Sequence, residues 1–212
     1  MMALAGANAP ISAAQLRSEL YAIGGEILLA SSRSGRPVSA RYRKGTDRPV
    51  FIGAGQHANE TTGIVGALRA ARELVGRPGS HFVISPLENP DGYQLHWRLR
   101  AENPRHHHHA ARYMALGDDY VYRTTEPPFE KAIRKDGFHL SGAKLHLNLH
   151  GYSSHEWTRP LSGYTPRKFE EWAVPKGFFL GIHYRADWED AAKWLADKVT
   201  VELPPKTGHA QV

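Results

Sequence analysis

The chain has 212 residues, of which 41% are hydrophobic and 23% are charged, and its formal net charge is +6. This length and composition are typical of one packed globular domain and exclude a disordered tail or a coiled coil. The chain contains no cysteine, which excludes disulfides, thiolate zinc sites and cysteine nucleophiles, so any metal needs His, Asp or Glu ligands.

The 27 basic residues are spread along the chain and form no run of five or six, which gives little support to nucleic-acid binding. The N-terminal stretch, residues 1–14, lacks the positively charged start and the continuous apolar core of a signal peptide. No apolar run approaches the roughly 20 residues of a membrane span. We therefore expect a cytoplasmic protein whose partners are neither nucleic acid nor membrane. These features do not indicate an oligomeric state.

The first predicted elements are a helix and a strand. Apolar residues recur at three- and four-residue intervals over residues 13–30, which predicts a helix or two short helices interrupted at Gly24 and Gly25. After a turn-rich segment, VSARYRKG alternates apolar and polar residues, as a half-exposed strand does. We expect this strand at an edge of the sheet.

Strands and helices alternate further along the chain. Residues 50–52 predict a buried strand, followed by a glycine-containing loop and a helix whose apolar stripe begins at Ile64. SHFVISP and KLHLNLH predict two more strands, GFFLGIHY at 177–184 predicts another, and DWEDAAKWLADKV predicts a closing helix. This pattern predicts an α/β fold with a mixed central sheet flanked by helices, as a single domain over residues 1–212.

Candidate metal ligands follow two of the predicted strands. His57 and Glu60 lie three residues apart in a loop that begins a helix, and His150 ends KLHLNLH. Functional residues of open α/β sheets collect at the carboxyl ends of strands, and a catalytic zinc takes three protein ligands. An HxxE pair by itself is common by chance on surface helices, so the neighbouring motifs carry the interpretation.

Three motifs occur in a fixed order: GQHANETTG after a strand, NPDGY at 89–93 and NLHGYSSHEW at 148–157. In that order they resemble the zinc carboxypeptidase family (peptidase M14-like), over roughly residues 48–165. The resemblance implies a phosphorylase/hydrolase-like fold and a metallocarboxypeptidase activity, in which metal-activated water hydrolyses a C-terminal peptide bond.

The resemblance also implies the site residues. It makes His57, Glu60 and His150 the ligands of one zinc ion. Arginines and an asparagine of the family hold the terminal carboxylate of the substrate and polarise the scissile carbonyl. This implies Arg100 as a catalytic residue. The substrate-binding candidates are Arg105 and Asn103, from the stretch RLRAENPR, and Tyr152, which follows the third ligand after one residue. The alternative is that these arginines are solvated beside a turn.

The family's general base is a glutamate on a late strand, and VTVELPPKTG nominates Glu202 for this role. Val199 and Val201 alternate around Thr200, which favours a strand. The alternative interpretation is a helix end stopped by the two following prolines.

The expected substrates are peptides or N-acyl amino acids, because family relatives that remove acyl groups use the same ligands. The family domain is longer than this chain, so one alternative is an incomplete, catalytically inactive zinc-binding fragment or regulatory domain, and another is a related amide deacylase. A third is a basic nucleic-acid-binding domain, suggested by the pI of about 9.6.

Two further clusters of polar residues are typical of solvent-exposed segments. The histidine run, residues 106–109, predicts a solvated loop, because four adjacent histidines cannot all face one ion. Asp118 and Asp119 could orient an arginine or a ligand histidine, but paired acids on a turn are usually solvent-facing, and we assign them no role.

Overall fold

The computed structural model describes residues 4–7, 9–124, 126–151 and 180–202. The chain divides into two compact units, residues 1–151 and 152–212. The first unit contains the sheet and the site described below, and the second contains one described helix. A single domain over residues 1–212 stays a prediction.

The first unit is built on a mixed β-sheet, as predicted. Its strands are β1 (Glu26–Ser31), β2 (Pro37–Arg43), β3 (Val50–Ala54), β4 (Phe82–Ser85) and β5 (Leu145–Leu149). Among the described residues their order across the sheet is β1-β2-β4-β3-β5. β2 pairs antiparallel with β1 and β4, whereas β3 pairs parallel with β4 and β5. The carboxyl ends of β3, β4 and β5 therefore lie at one edge of the sheet.

Helices cover both faces of this sheet. They are α1 (Ala13–Ile23), α2 (Thr61–Gly76), α3 (Pro90–Glu102) and α4 (Ala132–Ser141). The second unit contains α5 (Glu189–Glu202). One core cluster joins α1 and α2 to the sheet, with Leu20, Leu68 and Ile84 buried in it. The other cluster lies under α4, where Ile133 packs with Phe51. No described helix combines the length and apolar character that a membrane span requires.

The prediction of helical structure through residue 30 was wrong after Ile23. Gly24 and Gly25 both adopt positive φ, 69° and 83°, which ends the helix at low steric cost. A Cβ at Gly25 would also overlap the carbonyl oxygen of Tyr42. The apolar residues that continued the helical period belong to β1, where Ile27 and Leu29 are exposed.

The edge position expected for VSARYRKG was also wrong, because β1 and β4 flank β2 on its two sides. Alternate residues of β2 are buried, including Val38 and Ala40. Alternation reports which face of a sheet is covered, and not whether a strand has neighbours on both sides.

Two helices had not been predicted from the sequence. α3 begins with Asn89 as N-cap, whose side chain accepts from the Gly92 amide at 2.7 Å, and with Pro90 at the first helical position. That Asn-Pro pair is a helix-start signal. The helix α4 is short and contains Gly137, which weakens its periodic pattern.

Towards the C-terminus the closing helix is confirmed and the strand before it is not. Of the predicted strand at 177–184, residues 180–184 form no strand, and 177–179 lie outside the described residues. Residues 199–201 are helical within α5, so the strand interpretation of VTVEL was wrong.

Candidate metal centre

The two candidate ligand histidines follow neighbouring parallel strands. β3 and β5 pair with Ala54 opposite Leu149, so the segments leaving them emerge side by side. His57 lies three residues beyond the end of β3, and His150 directly follows β5. The topology brings positions far apart in sequence together, as predicted from the strand ends.

A tight turn sets Glu60 beside His57. The Glu60 amide donates to the His57 carbonyl at 3.1 Å. Glu60 is also the N-cap of α2, but its side chain makes no capping bond, so the carboxylate is available to the site. Gly63, in the first turn of α2, lies so close to the carbonyl of Leu149 that a Cβ would overlap it. This glycine lets the end of β5 approach the start of α2.

Both imidazoles face the same carboxylate. His57 Nδ1 lies 2.9 Å from Glu60 Oε1, and His150 Nδ1 lies 2.7 Å from Glu60 Oε2. The two rings are 4.7 Å apart between centroids. The amide of Gly151 adds a 3.3 Å hydrogen bond to Glu60 Oε2. The three side chains thus meet around Glu60, which is largely buried.

Glu60 is ionised at neutral pH. Burial acts to raise its pKa, but the hydrogen bonds and positive charge of His150 and His57 outweigh burial and lower the pKa to about 2. A carboxylate that stays deprotonated is the form that binds a metal ion.

The donor set fits a zinc ion. One ligand atom from each of His57, Glu60 and His150 lies within 4.8 Å of the other two, and among the described residues no other group of three possible ligands does so. Two ligand atoms of one zinc are at most about 4.2 Å apart, the sum of two bonds of about 2.1 Å. A small side-chain movement, with loss of the protons that the imidazoles now share with Glu60, would let all three bind one ion.

Asp119 and Arg112 lie beside the triad, although the sequence analysis assigned a role to neither. Asp119 Oδ2 lies 3.1 Å from His57 Nε2, the ring nitrogen opposite the one that faces Glu60. A carboxylate on the far nitrogen is typical of metal-binding histidines and fixes their tautomer and orientation. Arg112 donates to Glu60 Oε1 at 3.1 Å and lies 3.6 Å from Asp119.

These contacts explain why sequence reasoning missed the two residues. The acid pair in ALGDDYVYR was visible, but nothing local distinguishes Asp119, which reaches His57, from Asp118, which pairs with Arg123 at 2.7 Å. Arg112 sits in a short 3₁₀ turn beside the histidine run and belongs to none of the three motifs.

The described residues that were predicted to act on the substrate make no contact with the triad. Arg100 lies 5.9 Å from the centre of the Trp97 ring, while Asn103 and Arg105 are exposed at and beyond the end of α3. Among the described residues none of these three contacts His57, Glu60 or His150, and their roles stay predictions. Tyr152 lies outside the described residues.

The predicted base, Glu202, is the last residue of α5 in the second unit. It therefore ends a helix, which agrees with the alternative interpretation of this segment as a helix end. Its catalytic role stays a prediction.

The histidine run is only partly solvated, so the expectation of a solvated loop was wrong for His108. This side chain is 4% exposed, its Nε2 lies 2.7 Å from the Asn103 carbonyl, and its Nδ1 lies 3.2 Å from His96 Nδ1. The other histidine of that pair, His96, is 5% exposed. The neighbouring His106 is exposed.

Part of the chain resembles a known protein family in sequence. Residues 26–120 match the family model of the zinc carboxypeptidases, a segment that contains His57, Glu60 and Asp119 and ends before His150. No curated protein sequence shows a significant match to the chain.

Solved structures show the same fold. A metallo-carboxypeptidase from Burkholderia cenocepacia is similar with a TM-score of 0.62 and 18% identity over 96% of this chain and 53% of that one. A candidate carboxypeptidase from Burkholderia mallei is similar with a TM-score of 0.55 and 20% identity over 89% of this chain and 57% of that one. This chain spans somewhat more than half the length of either structure. The resemblance of the chain to the zinc carboxypeptidase family, predicted from three ordered motifs, is confirmed by the family match and by the fold.

Proposed function

We propose that this protein is a zinc-dependent hydrolase that cleaves a C-terminal peptide bond. The observation that carries the proposal is the convergence of His57, Glu60 and His150, with their ligand atoms within 4.8 Å of one another. These three residues hold the zinc ion. When bound, zinc supplies a Lewis acid that polarises a carbonyl and lowers the pKa of nearby water.

Asp119 and Arg112 prepare the site for this chemistry. Asp119 accepts the Nε2 proton of His57, so that Nδ1 presents its lone pair to the metal. Arg112 is a forked, permanently charged donor beside Glu60, and such a donor stabilises negative charge that develops on a carbonyl oxygen. The role of oxyanion donor that the resemblance implied for Arg100 suits Arg112 better, because Arg112 lies against the triad.

Peptide hydrolysis needs a group that takes a proton from water and passes it to the leaving amine. The two carboxylates that contact the triad, Glu60 and Asp119, are engaged by imidazoles. Glu202 stays the candidate, and Glu202→Gln should abolish turnover while leaving zinc content unchanged.

A second candidate function is zinc binding without turnover, as in a regulatory domain. It is favoured by the described carboxylates that contact the triad, Glu60 and Asp119, because imidazoles engage both of them. Removal of an acyl group from an amino acid is a third possibility within the same chemistry.

The test combines metal analysis with substrate hydrolysis. Purified protein should contain one zinc per chain, and it should release the C-terminal residue of N-acylated dipeptides. Arg112→Met should lower kcat/KM by about 100-fold while keeping the zinc. Arg17→Met, at an exposed arginine on α1 that carries no proposed role, is the matched control.

The outcomes separate the candidates. Stoichiometric zinc without hydrolysis of any dipeptide favours the non-catalytic domain. Hydrolysis of N-acyl amino acids alone favours the deacylase, and absence of zinc from the protein contradicts all three.

A further inference from the structure

A buried ion pair lies directly behind the candidate metal centre. Glu88, fully buried at the end of β4, accepts from Arg134 Nε at 3.0 and 3.1 Å and from Arg134 Nη2 at 2.5 Å. Burial acts to raise the pKa of Glu88, and the Arg134 charge opposes this. The pair therefore places a guanidinium and its countercharge together beside the segments that follow β3 and β5.

The same guanidinium reaches the residue next to the first ligand. Arg134 Nη2 donates to Gln56 Oε1 at 2.7 Å, and Asn148 Nδ2 donates to the same oxygen at 3.0 Å. Two donors on one atom identify it as the amide oxygen, so the amide nitrogen of Gln56 is the atom 3.3 Å from His57 Nε2. Because that ring nitrogen donates its proton to Asp119, the Gln56 amide packs against the His57 ring without a hydrogen bond to it. The orientation of the Gln56 amide, and its contact with the ring of His57, are thus set by Arg134.

Arg134 also contacts the segments that carry the other site residues. Its guanidinium lies 4.5 Å from the centre of the buried Tyr120 ring, and Tyr120 directly follows Asp119. Asn148, which shares Gln56 with Arg134, lies two residues before His150. One side chain of α4 therefore connects three segments that present the metal ligands and the carboxylate behind His57.

Stability alone does not account for this arrangement. Charged groups lose their hydration when buried, and replacing a buried ion pair by apolar residues of similar volume is often neutral or stabilising. Besides Glu88, Arg134 contacts Gln56, the neighbour of His57, and Tyr120, the neighbour of Asp119. These contacts give it a second use in holding the site residues in one orientation.

We propose that Arg134, fixed by Glu88, is a positioning residue that orients His57 and His150 for zinc through Gln56 and Asn148. The proposal rests on the proposed function in one respect only, namely that the triad binds zinc. It goes beyond that function by assigning a role to a charged pair that touches neither metal nor substrate.

The experiment measures zinc affinity of the whole chain by competition with a chromophoric chelator, together with urea unfolding of the metal-free protein. The double variant Glu88→Met/Arg134→Met removes both charges and leaves none unpaired. It should weaken zinc binding by about tenfold, the lower end of the effect of residues behind metal ligands. Unfolding of the metal-free protein should change little.

A second variant keeps the test independent of the ion pair. Gln56→Met leaves Glu88 and Arg134 paired and removes only the link to His57 and Asn148, and it should weaken zinc binding to the same extent. Cobalt(II) bound in place of zinc should show an altered visible absorption spectrum in both variants, because that spectrum reports ligand geometry.

The control is another ion pair that joins two elements. Arg36 and Asp91, 2.6 Å apart, link the β1–β2 turn to α3, and the partners of Asp91 are Ser32, Ser34 and Arg36. Arg36→Met/Asp91→Leu should leave zinc affinity and the cobalt spectrum unchanged.

The results decide between the two proposals. Unchanged zinc affinity and cobalt spectrum in both site variants would overturn the positioning role while leaving the proposed function intact. Failure of the unaltered protein to bind zinc would overturn both.

Discussion

Imidazole rings cluster in two places in the first unit, and the two clusters differ in what lies opposite the rings. At the candidate metal centre, His57 and His150 each face an oxygen of Glu60. In the second cluster, His96 and His108 face each other, with Nδ1 atoms 3.2 Å apart, and the other contact of His108 is a backbone carbonyl.

The carboxylate makes the difference. At the first cluster the pKa of the Glu60 carboxyl is lowered to about 2, so this side chain is negatively charged. Its charge favours a cation between the rings. At the second, burial and the neighbouring charges of His108 and Arg100 lower the pKa of His96 to about 4. His96 is therefore neutral at physiological pH and packs as a structural residue. In this protein the anionic partner therefore distinguishes the candidate metal centre from the structural histidine pair.

The largest expected effect comes from removing that partner. Glu60→Gln keeps the shape of the side chain but deletes its charge, so zinc affinity should fall by more than about 100-fold, beyond the loss caused by changes behind the ligands. Chelator competition measures it. His108→Gln serves as the control and should still bind one zinc per chain. Loss of zinc from this variant would show that the metal binds at the His96–His108 cluster instead.

A smaller effect is expected from the carboxylate behind His57. Asp119→Asn keeps the size of the side chain but weakens its hold on the Nε2 proton, so zinc affinity should fall by about 10- to 100-fold. Asp118→Asn, one residue earlier and paired with Arg123, is the matched control. Equal losses in both variants would show that the turn matters and that the contact with His57 does not.

Acid should distinguish the clusters in the metal-free protein. The folded-state pKa of His96, about 4, lies below its usual value of 6.5, so the unfolded chain binds more protons between these pH values. The corresponding stability is present above pH 6.5 and is lost as pH falls towards 4. From pH 7.5 to pH 5 the free energy of unfolding should fall by about 2 kcal/mol because of His96.

This loss can be assigned by urea unfolding at the two pH values. His96→Gln should reduce the loss by about 2 kcal/mol, and the exposed His139→Gln controls for the removal of a histidine as such. His146, whose pKa burial likewise lowers to about 4, should continue to contribute in both variants. An identical pH dependence in wild type and His96→Gln would contradict the assignment.

The smallest effect is expected within the histidine run itself. His106 is exposed, so His106→Ala should change the free energy of unfolding by less than about 0.5 kcal/mol. The buried His108 should cost about 2 kcal/mol when changed to Ala, because the Asn103 carbonyl and the ring of His96 both lose a partner. Equal effects at the two positions would mean that the run is uniformly solvated after all.

Much of this protein could be predicted from local sequence, since short-range patterns carry the information. Period-two and period-3.6 spacing predicted β2, β3, β4, β5, α2 and α5, and three ordered motifs predicted the triad. These predictions depend on residues near one another in the chain or on strand ends, which parallel pairing brings to one edge.

Tertiary structure decided the rest, because those features depend on contacts between distant residues. The residues of β1 continue the helical spacing of α1, so the sequence pattern predicted helix there. The structure ends α1 at Gly24 and Gly25 and places these residues in a strand. The place of β2 inside the sheet depends on pairing with β4, about 40 residues away in sequence. The roles of Asp119, Arg112 and Arg134 follow from packing around Glu60 and Gln56, which no local spacing encodes. The sequence alone could nominate the metal ligands, whereas only the fold identified the residues that hold them in place.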